Sequence, residues 1–228
     1  MISGLAKRVR GLQETYGDAL LTALTVILLL LMFVVAPLRA ADYALAEAMG
    51  LVLFLLLLVI SLAVSGNLAS FGLMLVAVVI NITVVIRRAE HHATFNMPLL
   101  AGAWLLFALT LGWIVAHAVF AAGQVTYHRV VGAVLLYLLI AANFAVLFLI
   151  VGLAIPDAFS GLALADTPGL TSNLIYFSIV TMTSTGYGDI APVHPIARSL
   201  CNIESIIGQL YPATLLARLV TLELEQRR

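Results

Sequence analysis

Long apolar stretches separated by short polar segments dominate the hydropathy pattern of this chain. A helix needs about 20 apolar residues to cross the hydrocarbon core of a bilayer. Six stretches qualify, and they cover residues 19–37, 44–64, 69–86, 99–122, 130–155 and 196–222. The pattern therefore predicts an all-α integral membrane protein with six transmembrane helices.

The composition agrees with a membrane protein and excludes several function classes. Of the 228 residues, 63% are hydrophobic and 10% are charged, whereas soluble domains carry about 25% charged residues. The net charge is zero and no basic block is long, so we expect membrane lipids around the chain and no nucleic-acid partner. We expect no enzymatic activity and no soluble substrate, because no nucleophile, paired-carboxylate or metal-binding pattern lies outside the spans.

Six spans place both termini on one side of the membrane. Basic residues near the span ends favour the cytoplasm as that side, under the positive-inside rule. The residues on the inner side would be Lys7, Arg8, Arg10, Arg129, Arg218, Arg227 and Arg228, against Arg39, Arg87, Arg88 and Arg198 outside. We therefore expect a multi-pass protein of the plasma (inner) membrane with cytoplasmic N- and C-termini, although the pair Arg87 and Arg88 opposes this orientation.

Residues 156–192, between the fifth and sixth stretches, are too polar and too rich in proline and glycine to span. Thr171, Ser172 or Asn173 can cap a short helix that continues over 174–183. Irregular backbone at membrane depth is tolerated only when it is buried in protein or lines water. The region is therefore expected to enter the membrane and return, as a re-entrant pore helix followed by a loop.

The loop contains Gly186 and Gly188 on either side of Tyr187. Because glycine reaches positive φ without steric cost, successive carbonyls here can point the same way. The stretch from Thr181 to Asp189 resembles the potassium-channel signature sequence. The resemblance implies a homotetramer whose four loops form stacked oxygen rings that replace the hydration shell of K⁺. It implies no cofactor, with K⁺ as the permeant ion.

Matched to that family position by position, the loop departs from the usual pattern twice. Ser184 stands where the family usually has threonine, and Thr185 where it usually has valine. The resemblance implies that K⁺ is bound by Ser184, Thr185, Gly186 and Tyr187, with Gly188 completing the selectivity filter. Serine lacks the β-branch that stiffens χ1, so we expect a looser innermost site.

The surroundings of the filter also depart from the family. Tyr176 and Phe177 stand where members often have a pair of tryptophans, and Val180 where certain members place a glutamate. The hydroxyl of Tyr176 can still reach Asp189, but Phe177 cannot donate a hydrogen bond to Tyr187. We expect an altered tendency to inactivate. The expected filter supports are Asp189, Tyr176, Phe177, Val180 and Thr183.

Three residues of the sixth stretch are candidates for gating. Gly208 lies where the family has a hinge glycine, and Pro212 can bend the helix one turn later; close helix packing is the alternative for Gly208. Glu204 is an intramembrane carboxyl group, which indicates function by default. It could line the pore, sense protons, or make a structural hydrogen bond to Asn202, Asn143 or a backbone N–H.

Six spans with the pore last resemble the voltage-gated architecture, yet the fourth stretch lacks regularly spaced basic residues. Its one ionisable side chain is His117, and one charge crossing the membrane yields only about 2.3 kcal/mol per 100 mV. We therefore expect a weakly voltage-dependent or voltage-independent K⁺ channel. A genuinely voltage-gated channel and a non-conducting regulatory subunit are the alternatives.

Four units follow from these predictions. An amphipathic cytoplasmic helix is expected over residues 1–18, with Ile2, Leu5, Val9, Leu12 and Tyr16 on one face. A four-helix peripheral domain shaped like a voltage sensor follows over 19–122, then a linker over 123–129. The pore domain covers 130–228. His117, Asn67, Asn81 and Asn143 are expected to satisfy one another across the helices.

Overall fold

The computed structural model describes residues 19–64, 72–76, 78–80, 83, 96–120, 127–165 and 167–226. Its main elements are helices, and the elements named below keep their labels throughout. They are α1 (Ala19–Ala40), with one π-helical turn at Leu31–Val35, α2 (Ala44–Val64), α3 (Asn96–Phe120), α4 (Tyr127–Ala154), β1 (Phe159–Ser160), α5 (Gly169–Met182), β2 (Ala191–Pro192) and α6 (Pro195–Gln226).

Four helices of the described part of the chain are long and apolar enough to cross a membrane. These spans are Ala19–Ala40, Ala44–Ser61, Met97–Phe120 and Val130–Ala154. The predicted span 69–86 lies only partly within the described residues, where 72–76 and 78–80 are helical. The predicted span 196–222 falls within α6, which has 32 residues but is less apolar than the four. The full set of six therefore stays a prediction.

Several other predictions lie outside the described residues. They are the amphipathic helix over 1–18, most of the linker, Asn67, Asn81, Arg87 and Arg88. The linker was expected to end at residue 129, but α4 already begins at Tyr127.

The segment between α4 and α6 contains a two-residue antiparallel strand pairing. Phe159 of β1 pairs with Pro192 of β2, and Ser160 pairs with Ala191. The carbonyl oxygen of Ala158 also accepts hydrogen bonds from the N–H groups of Val193 and His194. The segment that follows α4 is thus hydrogen-bonded to the segment that precedes α6. The residues between the two strands, including α5, form a loop that is closed at its base.

Helix α5 starts earlier than the sequence indicated. Its N-cap is Pro168, and no side chain caps its first turn, so the predicted cap at Thr171, Ser172 or Asn173 was wrong. Proline suits this position because its fixed φ is already helical and its missing N–H would be unpaired there. The helix is 14 residues long and gains a turn at its N-terminus.

Two apolar clusters hold the helices together. In one, Leu24 of α1, Leu111 of α3 and Leu135 of α4 are fully buried, and Met182 at the end of α5 joins them. In the other, aromatic side chains from α4, the strand segment and α5 meet around Phe148. Helix α5 contributes to both clusters and is therefore fixed from two sides.

Candidate functional site

The segment directly after α5 is the most unusual backbone in the described chain. We call residues 184–188 the filter segment; all five are exposed in the single chain. Gly186 and Gly188 have φ values of +57° and +84°, as expected for glycines that turn the carbonyls. Ser184 also has a positive φ, +57°, which the sequence did not indicate and which costs roughly 1–3 kcal/mol for a residue other than glycine.

The N–H groups at the start of the filter segment point back to the end of α5. Ser184 N–H donates to the Thr181 carbonyl at 3.0 Å, and Thr185 N–H to the Val180 carbonyl at 2.9 Å. Gly186 N–H reaches the same Val180 oxygen at 3.4 Å. These bonds satisfy carbonyls that a helix C-terminus otherwise leaves unpaired. Within the described residues, no backbone N–H donates to the carbonyl oxygens of 184–187.

A pair of hydroxyl groups fixes the side chain of Thr185. Thr183 Oγ1 lies 2.7 Å from the Ile179 carbonyl, which can only accept, so Thr183 donates there. The contact of 2.8 Å between Thr183 Oγ1 and Thr185 Oγ1 must then use the hydrogen of Thr185. Valine, which the family usually has at this position, could not form this bond.

The outer end of the site is held by Tyr176 and by a glycine. Tyr176 donates its hydroxyl hydrogen to Asp189 Oδ1 at 3.0 Å, the hydrogen bond expected from the sequence. Its ring stacks on that of Tyr187, with centroids 6.3 Å apart and planes 1° from parallel. Gly161, which follows β1, packs on the Asp189 carbonyl so closely that a Cβ there would lie 1.9 Å from the oxygen.

Phe177 and Val180 face the protein core. Phe177 is 3% exposed, and its ring centre lies 4.7 Å from that of Phe148 and 5.6 Å from that of Phe159. Val180 is also buried, so its contribution to the site is its carbonyl oxygen. Apolar packing thus occupies positions 177 and 180, where the family that the sequence resembles often has a tryptophan and, in certain members, a glutamate.

Glu204 is 0% exposed, in the single chain, and lies between three helices. Ser178 of α5 makes hydrogen bonds to Glu204 Oε1 and to the Ala141 carbonyl of α4. A serine hydroxyl carries one hydrogen, and a carbonyl can only accept. Both contacts are satisfied when the Glu204 carboxyl group is protonated and donates to Ser178, which then donates to Ala141.

The partners expected for Glu204 were wrong. Asn143 donates to the Leu139 carbonyl of its own helix at 2.7 Å, rather than to Glu204 or across helices. Glu204 is buried against α5 in the single chain rather than placed at a surface that could line a pore. The structural hydrogen bond, one of the alternatives left open, describes its position, but with Ser178 as the partner.

Gly208 is at a point of close contact between α6 and the end of α5. A Cβ at Gly208 would lie 2.0 Å from the carbonyl oxygen of Met182, so only glycine fits without a shift. This geometry supports the packing interpretation of Gly208. Pro212 lies inside α6, which continues to Gln226, and the neighbouring Tyr211 donates its hydroxyl hydrogen to the Ala133 carbonyl of α4 at 2.8 Å.

Two residues of α6 that sequence reasoning missed also contact this region. Ser205 Oγ donates to the Thr181 carbonyl at 3.1 Å, and Gln209 Nε2 donates to Ser184 Oγ at 3.1 Å. Gly208 and Gln209 follow Ser205 by three and four residues, so the three residues lie on one face of the helix. Polar and small residues at that spacing in the predicted sixth span were the available signal.

Comparisons with known proteins agree with this architecture. A family model described as "Ion channel" matches residues 103–224, which is more than half of the chain. A stretch of 75 residues is 35% identical to the inward rectifier potassium channel Kirbac3.1 of Paramagnetospirillum magnetotacticum. That stretch is 33% of this chain and 23% of the relative, so the match spans under a quarter of the relative's length. No solved structure matches the chain significantly.

The family match covers α4, α5, the filter segment and nearly all of α6, the elements that build the site. Together with four apolar helices of membrane-spanning length, it makes the chain an integral membrane protein. The chain belongs to the ion channel family.

Proposed function

We propose that this protein is a K⁺-selective channel that conducts K⁺ passively down its electrochemical gradient. The observation that carries the proposal is the filter segment, whose carbonyl oxygens receive no backbone hydrogen bond within the described residues while the N–H groups of its first three residues bond to α5. Oxygens left without donors are suitable cation ligands. The resemblance of residues 181–189 to the potassium-channel signature, and a potassium channel as a relative, support K⁺ as the ion.

The proposed site needs several copies of the chain. One filter segment provides oxygens on only one side of an ion, and it is exposed in the single chain, with Tyr187 72% exposed. Apolar side chains of α6, including Ile203, Ile206 and Leu210, are exposed as well and offer surface to a neighbouring chain or to lipid. We therefore propose a homotetramer with Ser184, Thr185, Gly186 and Tyr187 as ligands and Gly188 completing the filter.

The proposed channel has six spans, cytoplasmic termini and at most weak voltage dependence. In α3, the fourth predicted span, the ionisable side chain is His117, whose ring contacts that of Trp113 at 4.8 Å. A single histidine supplies too little gating charge for steep voltage dependence. A current–voltage series in planar bilayers tests this point, since a steep conductance rise with voltage would favour the voltage-gated alternative.

A flux assay in proteoliposomes tests the proposed function itself. We expect rapid K⁺ flux and far slower Na⁺ flux through the wild-type protein. Gly186→Val should abolish K⁺ flux, because a β-branched residue is rarely tolerated at positive φ, whereas Gly112→Ala should retain it, because a Cβ at Gly112 meets open space. A folded tetramer that passes no K⁺ would contradict the proposal and favour the non-conducting subunit.

A further inference from the structure

Helix α6 contacts the base of the filter segment along one polar face. Ser205 donates to the Thr181 carbonyl, Gly208 allows the backbone to approach the Met182 carbonyl, and Gln209 donates to Ser184 Oγ. The first two contacts fix the distance between α6 and the end of α5. The Gln209 side chain is thereby held where its amide reaches the first residue of the filter segment.

The side chain of Ser184 is less restricted than the threonine that the family usually has at this position. Its orientation therefore depends more on contacts with other residues. Threonine has a β-branch that restricts χ1, whereas the hydroxyl of serine rotates more freely. The backbone of Ser184 is also in the left-handed region, with φ of +57°. Among the described residues, Gln209 is the side chain that donates a hydrogen bond to Ser184 Oγ.

The chemistry of this contact suits a cation site. A hydroxyl group has one hydrogen and two lone pairs. The amide of Gln209 occupies one lone pair and leaves the other available for a cation. Because the amide is neutral, it orients the oxygen without adding a positive charge that would repel the ion.

We propose that Gln209 is a positioning residue that orients the Ser184 hydroxyl and so sets the cation affinity of the innermost filter site. This inference rests on the proposed function, in which Ser184 is a ligand at the inner mouth. Gln209 takes the place of the missing β-branch, since a contact from the neighbouring helix supplies the constraint that serine lacks. Any movement of α6 at this point also changes the innermost site directly.

A double-mutant cycle tests the proposal. Ba²⁺ is close to K⁺ in size but carries twice the charge, so it blocks oxygen-ring sites, and block from the cytoplasmic side reports on the innermost one. In planar bilayers we expect Gln209→Leu to weaken this block by about two- to tenfold, the factor equivalent to one hydrogen bond. In a Ser184→Ala background the same substitution should have no further effect, and in a Ser184→Thr background the effect should be much smaller.

The cycle separates this inference from alternatives. A Gln209→Leu effect that is equal in all three backgrounds would overturn it, because the substitution would then act through the polarity of the cavity. Gly112→Ala, in α3 where an added Cβ meets nothing within 4 Å, is the control and should leave the block unchanged.

Thermal unfolding of the purified protein in K⁺ and in Na⁺ gives a second readout that does not require conduction. Gln209→Leu should reduce the stabilisation by K⁺, and unchanged stabilisation would count against the inference. Wild-type protein with neither flux nor a K⁺-dependent shift in unfolding temperature would overturn the proposed function and this inference together. If the wild-type protein conducts K⁺ but the effects of the Gln209 and Ser184 substitutions on block are additive, this inference alone is overturned.

Discussion

Polar side chains are used differently in helices α1 to α3 and in helices α4 to α6 with the filter segment. In α1, α2 and α3, the hydroxyl groups of Thr25, Ser61 and Thr110 bond to carbonyls three or four residues earlier in the same helix. Thr25 and Ser61 add one longer contact each to another segment, at 3.3 Å and 3.2 Å. Hydrogen bonds of this kind satisfy the side chain but scarcely position one helix against another.

In α4, α5, α6 and the segment between α5 and α6, some side chains such as Asn143 also bond within their own helix, but several bonds run between elements. The pairs are Ser178 with Ala141 and Glu204, Ser205 with Thr181, Gln209 with Ser184, Tyr211 with Ala133, and Tyr176 with Asp189. They connect α4, α5, α6 and the filter segment to one another.

The difference teaches where this protein tolerates change. Apolar packing is not directional, so helices α1, α2 and α3 can adjust to a substitution by small shifts. Hydrogen bonds between membrane helices are worth about 0.6 kcal/mol on average and up to about 1.7 kcal/mol, but they fix direction as well as distance. A site built from backbone oxygens needs that geometric precision more than it needs additional stability.

The largest difference between the two regions should appear at their glycines. Gly208→Ala places a Cβ 2.0 Å from the Met182 carbonyl, whereas at Gly102 of α3 a Cβ meets nothing within 4 Å. We expect Gly208→Ala to abolish K⁺ flux and reduce the yield of folded tetramer, and Gly102→Ala to be neutral or stabilising by up to about 1 kcal/mol. Size-exclusion chromatography with flux assays measures both, and equal behaviour of the two variants would break the comparison.

The second-largest effect should come from the loss of a hydrogen bond between helices. Ser178→Ala removes the hydroxyl that contacts both Glu204 and Ala141 and should lower the free energy of unfolding by about 1–3 kcal/mol. Thr110→Val removes a bond within one helix and should change the unfolding free energy by less than about 0.5 kcal/mol. Denaturation in detergent compares the two variants, and a larger loss for Thr110→Val would contradict the expected order.

A smaller effect is expected at the outer end of the filter segment. Tyr176→Phe removes the hydroxyl that bonds to Asp189 but keeps the ring stacked on Tyr187. We expect K⁺ selectivity to survive and sustained current to decline faster, because Asp189 loses a constraint. The matched variant Tyr43→Phe, at an exposed tyrosine between α1 and α2, should leave the time course unchanged, and the prediction fails if both variants behave alike in single-channel recordings.

The smallest effect should come from Glu204→Gln. Glutamine keeps a neutral donor toward Ser178, so folding, flux and their pH dependence should match the wild type if Glu204 is protonated as the hydrogen count indicates. Glu204→Ala is the comparison variant and should destabilise the protein, since Ser178 loses one of its two hydrogen-bond partners. A Gln variant as damaged as the Ala variant, or with a changed pH response, would show that the carboxyl group itself is needed.

Much of the fold followed from the sequence because hydropathy is a local property. The second predicted span has the bounds of α2, the fourth begins three residues after the start of α3, and the fifth differs from α4 by three residues at its start and one at its end. The start of α5 was placed too late because proline, rather than a polar side chain, occupies its N-cap. In α6, charged and polar residues throughout the helix lower its hydropathy, and three of them, Glu204, Ser205 and Gln209, contact α5 or the filter segment.

The sequence by itself determined that this chain is a membrane protein, and it located the candidate site at two glycines around a tyrosine. Both signals depend on residues close together along the chain. Only the tertiary structure decided that Glu204 bonds to Ser178, that Gly208 packs on Met182, and that Gln209 reaches Ser184. Each of these pairs joins residues 25 or 26 positions apart, and their approach depends on how α6 packs against α5, which no local pattern encodes.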